Sequence, residues 1–315
     1  MITYRPFLNC DPPAICEIWE RQTRDIGMMH PMSVLLLETF VLSKPYFDRL
    51  GLIMALEDGK PIGFVHAGFG PNTLRTEISN DIGVICMLVV ADHPQREQIH
   101  SELIQHSESY LRGKGAIEIH AFGAYPNSPF YLGLYDGSAS PGILSFDQIG
   151  EKSFRQAGYE EIERYGMFER SLVRYRFPID RSLVLLKRQF RVRLITESRQ
   201  LSWWDACAFG PTDRIRFVME PKRGGDPVGE VSFWDMGPLA YRSGGTTMGM
   251  IDLMVEDEHQ QRGCGTYLVA ESLQQLAKSG ILMIQTQAAQ NSTAACKILS
   301  KLGFEQRDYG TLLGK

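Results

Sequence analysis

The sequence predicts an α/β protein made of two lobes of similar design in tandem. Three observations carry this. The chain has 315 residues, more than one ordinary domain. Short apolar runs of strand type alternate along it with helical patterns. A stretch of the first half also returns in the second without gaps. Leu88, Val90, Asp92, Gln95, Leu103, Ser107, Leu111, Gly115 and Ile119 reappear as Leu253, Val255, Asp257, Gln260, Leu268, Ser272, Leu276, Gly280 and Ile284, an offset of 165 positions. The turn Pro61-Ile62-Gly63 returns as Pro227-Val228-Gly229. An internal duplication accounts for both.

The elements of the first copy follow in order. Residues 2–7 alternate and read as a strand, after which Asp11 caps a helix with Pro12 at its first position. A second helical pattern runs over 33–42. Residues 52–56 and 61–65, joined by Glu57-Asp58-Gly59-Lys60, read as a hairpin. Residues 85–90 form a strand that feeds a helix, and 117–121 form the fifth strand. The loop from Pro126 to Gly137 is long and rich in glycine, proline and aromatics, so it reads either as lining a cleft or interface or as an ordered insertion. A helix over 150–156 then ends at Gly158-Tyr159.

Residues 173–188 match no repeated element. They carry Arg174, Arg176, Arg181, Lys187 and Arg188 among apolar residues and read as a connector, partly a strand, with a solvated basic face. This sets three segments: 1–172, the connector 173–188, and 189–315. The second copy opens with a strand at 190–194 and a short helix over 201–208 that puts Trp203 and Trp204 in the core. A hairpin over 214–219 and 228–234 follows, then a strand over 248–255, a helix over 262–279, a strand over 281–287, a helix over 291–302 and a closing strand over 304–313.

The most informative stretch is Leu253-Met254-Val255-Glu256-Asp257-Glu258-His259-Gln260-Gln261-Arg262-Gly263-Cys264-Gly265-Thr266. It begins as an apolar strand and ends as a helix, with two glycines at the helix entrance. The first turn of a helix leaves several N–H groups unpaired, and glycines let an anion approach them closely. Arg262 and the amides of Gln260 and Gln261 add donors suited to phosphate. The same residues also suit a plain strand-to-helix turn. The Walker pattern, which needs Gly-Lys-Ser/Thr, is absent, and the dinucleotide fingerprint fails at Leu268, where a third glycine belongs.

A strand, then Gln-x-x-Gly-x-Gly, then a helix resembles the acyl-CoA site of the GNAT superfamily of N-acetyltransferases. A second match follows: Asn291 opens a helical pattern (Ala294, Ala295, Ile298, Leu299, Leu302) that stops at Gly303-Phe304. The resemblance implies two GNAT-like lobes, each a mixed, mostly antiparallel sheet flanked by helices, and acetyl-CoA as acyl donor. It also implies that the loop amides of residues 260–266 hold the pyrophosphate, that Leu253, Met254 and Val255 pair with the pantetheine arm, and that Asn291 contacts the cofactor. In the first copy Gln98 and His100 stand where the second has Gly263 and Gly265, so side chains fill the space an anion needs. The first copy is therefore expected to be a degenerate lobe that shapes the acceptor cleft.

Acyl transfer to an amine needs a polarised carbonyl and a base for the ammonium proton. Strand amides around Met254 and Val255 serve the first need. Asp252, which interrupts an apolar strand, is the first candidate base, and Glu230 on the third strand is the second; an edge or surface position is the other reading of Asp252. Family members commonly place a tyrosine four residues before the glycine of Gly-Phe to protonate the thiolate. Here that position is Leu299. The expected activity is N-acetylation of a small-molecule or peptide amine, with a non-catalytic acyl-CoA-binding or sensing protein as the alternative.

A net charge of −4 and a pI near 6.0 give no electrostatic case for nucleic acid or an anionic membrane. No apolar run is long enough to span a bilayer, and the first residues lack the apolar core of a signal peptide. The six cysteines are scattered, as in a cytoplasmic protein with reduced thiols, and no metal-ligand spacing occurs. A monomer or a homodimer is expected.

Overall fold

The duplication is visible in one sheet that runs through both halves. The computed structural model describes residues 1–22, 27–135, 137–195, 202–210, 212–239 and 245–315. The first half contributes β1 (Ile2–Pro6), α1 (Pro12–Glu20), α2 (Val34–Leu37), β2 (Leu52–Glu57), β3 (Lys60–Pro71), β4 (Ile78–Val90), α3 (Arg96–Gly113), β5 (Glu118–Ala121), β6 (Ile143–Leu144), α4 (Gln148–Gln156) and β7 (Glu160–Ser171). The second contributes α5 (Arg181–Gln189), β8 (Phe190–Ile195), α6 (Trp203–Phe209), β9 (Arg214–Pro221), β10 (Gly229–Asp235), β11 (Thr247–Val255), α7 (Cys264–Lys278), β12 (Met283–Ala289), α8 (Thr293–Lys301) and β13 (Glu305–Gly314).

Among the described residues the strand order is β1-β2-β3-β4-β5-β13-β7-β12-β11-β10-β9-β8, with β6 beside β13. All neighbours are antiparallel except β4 with β5 and β11 with β12. The order is symmetric about the β13–β7 pair, and the last strands of the two copies have changed places. β13 pairs with β5 through Leu313 and Gly314, while β7 pairs with β12 along Tyr165–Ser171. Each copy's sheet is thus completed by the other's final strand.

Two apolar cores lie against this sheet. The larger gathers α1, α3 and β2–β5 with residues of the long loop, and the smaller packs α5, α7 and α8 on β9–β12. The connector differs from its expected strand character. Asp180 accepts from the Ser182 amide and starts α5, and Leu183 and Leu186 are buried one turn apart, a helical spacing within the short apolar run 183–186. The strand that bridges the halves is instead β7. The halves also meet through side chains. Lys44 Nζ donates to the carbonyls of Cys207 and Ala208 at 2.6 and 2.9 Å, and Tyr46 stacks on buried Trp204 at 4.9 Å. Trp203, expected in the core, is 39% exposed and lies edge-on to Tyr46.

Buried imidazoles give the fold an acid limit. His66 on β3 is fully enclosed, with Nδ1 3.1 Å from the Tyr131 hydroxyl and Nε2 unpartnered. Burial pushes its pKa down to about 3, and burial together with Arg96 pushes His100 down to about 4. In the unfolded chain both revert to about 6.5. Their stabilising effect is complete above that value and is lost as pH falls toward 4 and 3. Urea unfolding at pH 4 is expected to show about 3 kcal/mol less stability per histidine than at pH 7. His66→Leu is expected to remove roughly half of the difference; an unchanged acid sensitivity in that variant contradicts the assignment.

Candidate active site

The site is built from β11 outward. Met248, Met250 and Ile251 are buried and fix this strand in the sheet beside β10. Its other edge pairs in parallel with β12 only at Thr247–Gly249, against Met283–Gln285. Beyond Gly249 the two strands part. A β-bulge accompanies the parting: the β10–β11 register shifts between Glu230 and Ser232, and Asp252 adopts φ 52°. Bulges bend a strand and re-aim side chains, and here Asp252 is turned into the gap. Thr286 on β12 reaches across and donates to the Met250 carbonyl at 3.0 Å.

The gap is a cavity of about 320 Å³. Ile251, Asp252 and Leu253 line one wall, Thr286, Gln287, Ala288 and Ala289 the other, and Ala295, Ile298 and Leu299 of α8 close the back. The first half supplies Tyr125, Ala139 and Ser140 from either side of its long loop and Tyr165 from the exchanged strand β7. No residue of the loop from Pro126 to Gly137 lines this cavity; only residues flanking it do.

Next to this cavity lies the glycine-entered helix. Gln261 and Gly263 take left-handed conformations, φ 56° and 81°, and α7 begins at Cys264. Among the described residues no backbone or side-chain acceptor takes the amide hydrogens of Gln261, Arg262, Gly263, Cys264, Gly265 or Thr266. Alternating left- and right-handed backbone of this kind forms a concave anion nest, and the helix dipole adds to it. Gly265 is the hinge between nest and cavity. A Cβ there would sit 2.9 Å from Ile298 Cδ1 and 3.7 Å from Val255 Cγ2, and Ile298 lines the cavity. Cys264 and Thr266 are buried, and Gln260 is tied back to the Val255 carbonyl at 2.9 Å and to Asp257 at 2.8 Å.

A charged cluster drawn from both halves stands at the mouth. Arg214 of β9 donates to Asp252 at 2.7 Å and to Ser232 at 3.2 Å, and lies 3.8 Å from Asp205 of α6. Arg75 donates to the Tyr125 hydroxyl at 2.9 Å, which is itself 3.4 Å from Asp252 and from Asp205. Two carboxylates and two guanidiniums balance here, so their desolvation is offset by pairing. Burial, then Asp252 and Asp205, push the Tyr125 hydroxyl well above its usual pKa and keep it protonated.

The structure brings Asp252, Leu253 and the nest together but leaves other sequence candidates outside. Glu230 pairs with Arg216 at 2.6 Å on β10 and does not line the cavity. Met254 is 57% exposed, and Val255 packs toward Gly265. Asn291 sits in the turn before α8 and donates to Glu163; the neighbouring Ser292 lines the cavity instead. Arg75, Tyr125, Tyr165, Asp205 and Arg214 were not singled out from the sequence as site residues. Only the unusual loop composition beside Tyr125 gave a signal, because the others meet through the contact between halves.

The first copy keeps the splay without the nest. β4 pairs with β5 only at Ile82–Ile85, yet the helix that follows starts at Arg96, three positions before Ile99, the counterpart of Cys264. An extra helical turn replaces the nest, and Met87 stands where the second copy has Asp252.

Two parted strands beside glycine-entered or helix-extended turns, repeated twice, define a tandem two-lobed acetyltransferase fold. The chain belongs to the acetyltransferase (GNAT) family, whose sequence model matches residues 13–134 and 183–304. No curated protein is a significant match. Among solved structures, the chain is similar to the GCN5-related glucosamine N-acetyltransferase region of a fungal multi-domain GH3 β-N-acetylglucosaminidase, with TM-score 0.73, 16% identity, and coverage of 100% of this chain and 38% of that one. It is also similar to a tandem GNAT protein from the clavulanic acid biosynthesis pathway, with TM-score 0.65, 13% identity, and coverage of 100% and 98%. A GCN5-related N-acetyltransferase from Sphaerobacter thermophilus gives TM-score 0.62, 11% identity, and coverage of 100% and 95%. At these identities the likeness is one of fold. No described helix is long and apolar enough to cross a membrane.

Proposed function

We propose that the protein transfers an acetyl group from acetyl-CoA to the amine of a small molecule or peptide, with the cofactor in the lobe of residues 189–315. The observation that carries this reading is the row of unspent amides from Gln261 to Thr266 beside the parted strands. The lobe of residues 1–172 lacks the nest and serves to wall the acceptor cleft, with 173–188 as the connector between them. The residues fit the cofactor: the nest and Arg262 suit a diphosphate, and the cavity between β11 and β12 suits a slender polar arm.

A bound thioester supplies an activated carbonyl. Amides of Leu253 and its neighbours are positioned to polarise it. Asp252 accepts one proton of the ammonium, directly or through water, which frees the nitrogen lone pair to bond the carbonyl carbon; the C–S bond then breaks and the nitrogen's second proton passes to solvent. Arg214 holds the Asp252 carboxylate in place at 2.7 Å. Leu299 offers no proton to the departing thiolate. Tyr165 takes that part in this reading, because it lines the same cavity and is kept protonated by burial and by Glu163. Tyr165→Phe is expected to lower kcat about tenfold, below the usual span of general-acid effects, because a thiolate leaves readily unaided. An unchanged kcat assigns the proton to solvent.

The function is tested by coenzyme A release on a panel of amines, alongside isothermal titration with acetyl-CoA. Turnover on any amine supports transfer. Binding without turnover favours the alternative of an acyl-CoA-binding or sensing protein, which the missing helix tyrosine motivates. No heat of binding rejects both.

A further inference from the structure

The mouth of the cavity beside Asp252 holds one guanidinium edge that the protein itself does not use. Arg75 lies in the turn between β3 and β4 of the first lobe at φ 57°, a conformation an arginine rarely takes. Three contacts fix it there. Its amide donates to the Asn72 carbonyl at 2.9 Å, its carbonyl accepts the Trp204 amide of α6 at 3.1 Å, and its guanidinium lies over the Tyr125 ring, 5.0 Å from the centroid. Nη1 is spent on the Tyr125 hydroxyl at 2.9 Å and on Asp205 at 3.4 Å. Nε and Nη2 make no hydrogen bond among the described residues, and neither atom is enclosed; the side chain is 28% exposed. Arg214, the other guanidinium at the mouth, has no such edge: Nη2 is spent on Asp252 and Ser232, and Nη1 is buried. Asp252 stands on the far side of the same Tyr125 hydroxyl, 3.4 Å from it, and its side chain is 23% exposed. The candidate base and the free guanidinium edge thus flank one tyrosine, and both can be reached from outside.

Charge decides what suits this place. Two carboxylates and two guanidiniums already balance, so a plain ammonium drawn to Asp252 weakens the Arg214 pair or stays uncompensated. An acceptor that brings its own anion keeps the balance. A carboxylate matches the planar Nε–Nη2 edge with two parallel hydrogen bonds. We propose that the acceptor is a small amine carrying a carboxylate within a few bonds of its nitrogen, an amino acid, with the carboxylate on Arg75 and the ammonium on Asp252. This rests on the acetyl transfer proposed above and narrows its acceptor. The product is the N-acetyl amino acid with its carboxylate unchanged. A peptide amine, whose free main-chain carboxylate lies far from the reacting nitrogen, does not join the two groups.

The test is coenzyme A release by the full chain with acetyl-CoA and a panel of α-, β- and γ-amino acids, each beside its amide and its decarboxylated amine. The amide's amine is less basic than the parent's and the decarboxylated amine is more basic, so basicity alone moves the two controls in opposite directions. At least one amino acid is expected to exceed both controls in kcat/KM by roughly tenfold or more, the effect of one charge-assisted hydrogen bond. Arg75→Gln is expected to cut that ratio by about the same factor. The ratio is read because a general loss of activity cancels in it. If Arg75→Gln does not show a native near-ultraviolet circular dichroism spectrum, Arg75→Lys is read in its place; it keeps the charge without the planar edge and is expected to lower the ratio too. The proposal is overturned if either control matches its parent for every amino acid, or if the ratio is unmoved in the variant. Absence of turnover on every amine overturns the transfer reading itself, and this one with it.

Discussion

Gly265→Gln is expected to weaken acetyl-CoA binding by more than a hundredfold, as measured by isothermal titration. The added side chain meets Ile298 Cδ1 at its first carbon, 2.9 Å away, and must turn toward the nest or push α8 back. Either movement removes donors from the diphosphate. Charge-assisted hydrogen bonds contribute about 1.5–3 kcal/mol each, so losing two accounts for roughly 3–6 kcal/mol, a factor above one hundred. A change in the corresponding turn of the first lobe, Gln98→Gly at the counterpart of Gly263, lies on an exposed part of α3 and is expected to leave the affinity unchanged. Should Gln98→Gly weaken binding while Gly265→Gln does not, the two lobes have been assigned the wrong way round.

Asp252→Asn is expected to lower kcat by about 10²–10⁴ while the affinity for acetyl-CoA stays within twofold of its original value, roughly the span of general-base effects. The amide keeps the shape of the carboxylate and can still accept from Arg214, so the bulge and the cleft wall are preserved. What is lost is the negative charge that receives the proton. Arg214→Gln is the companion variant. If Asp252 only anchors Arg214, the two substitutions lower kcat equally. If Asp252 is the base, the aspartate variant falls much further. Full activity in Asp252→Asn moves the base elsewhere, and the pairing of Glu230 with Arg216 away from the cavity makes that residue a weak substitute.

Much of this architecture could be read from residue order. The duplication was legible because strand-to-helix units keep their apolar positions, and Leu88 and Leu253 occupy the same place in two splayed strands. The nest was legible because left-handed backbone selects glycine, and Gly263 at φ 81° is such a position. Asp252 was legible as a polar interruption in an apolar strand, although its place on a bulge was not. The charged mouth could not be read. Arg75 and Asp205 are distant in sequence, and no local period reports a contact between lobes. The exchanged strands were hidden for the same reason. β7 and β13 each have a sequence suited to closing a sheet, and nothing local says whose sheet it is. The connector was misjudged because Leu183, Val184, Leu185 and Leu186 form a short apolar run that suits either a strand or a helix.

The crossing of β7 and β13 imposes an order of assembly. As the chain leaves the ribosome, β5 of the first lobe has no partner on its open side until β13 arrives far downstream, and β7 waits for β12. An unpaired strand edge invites foreign strands, so a nascent chain stalled between the halves presents two adhesive borders. Expressing either half alone leaves the same borders permanently bare, whereas mixing the two halves gives each the ribbon it lacks.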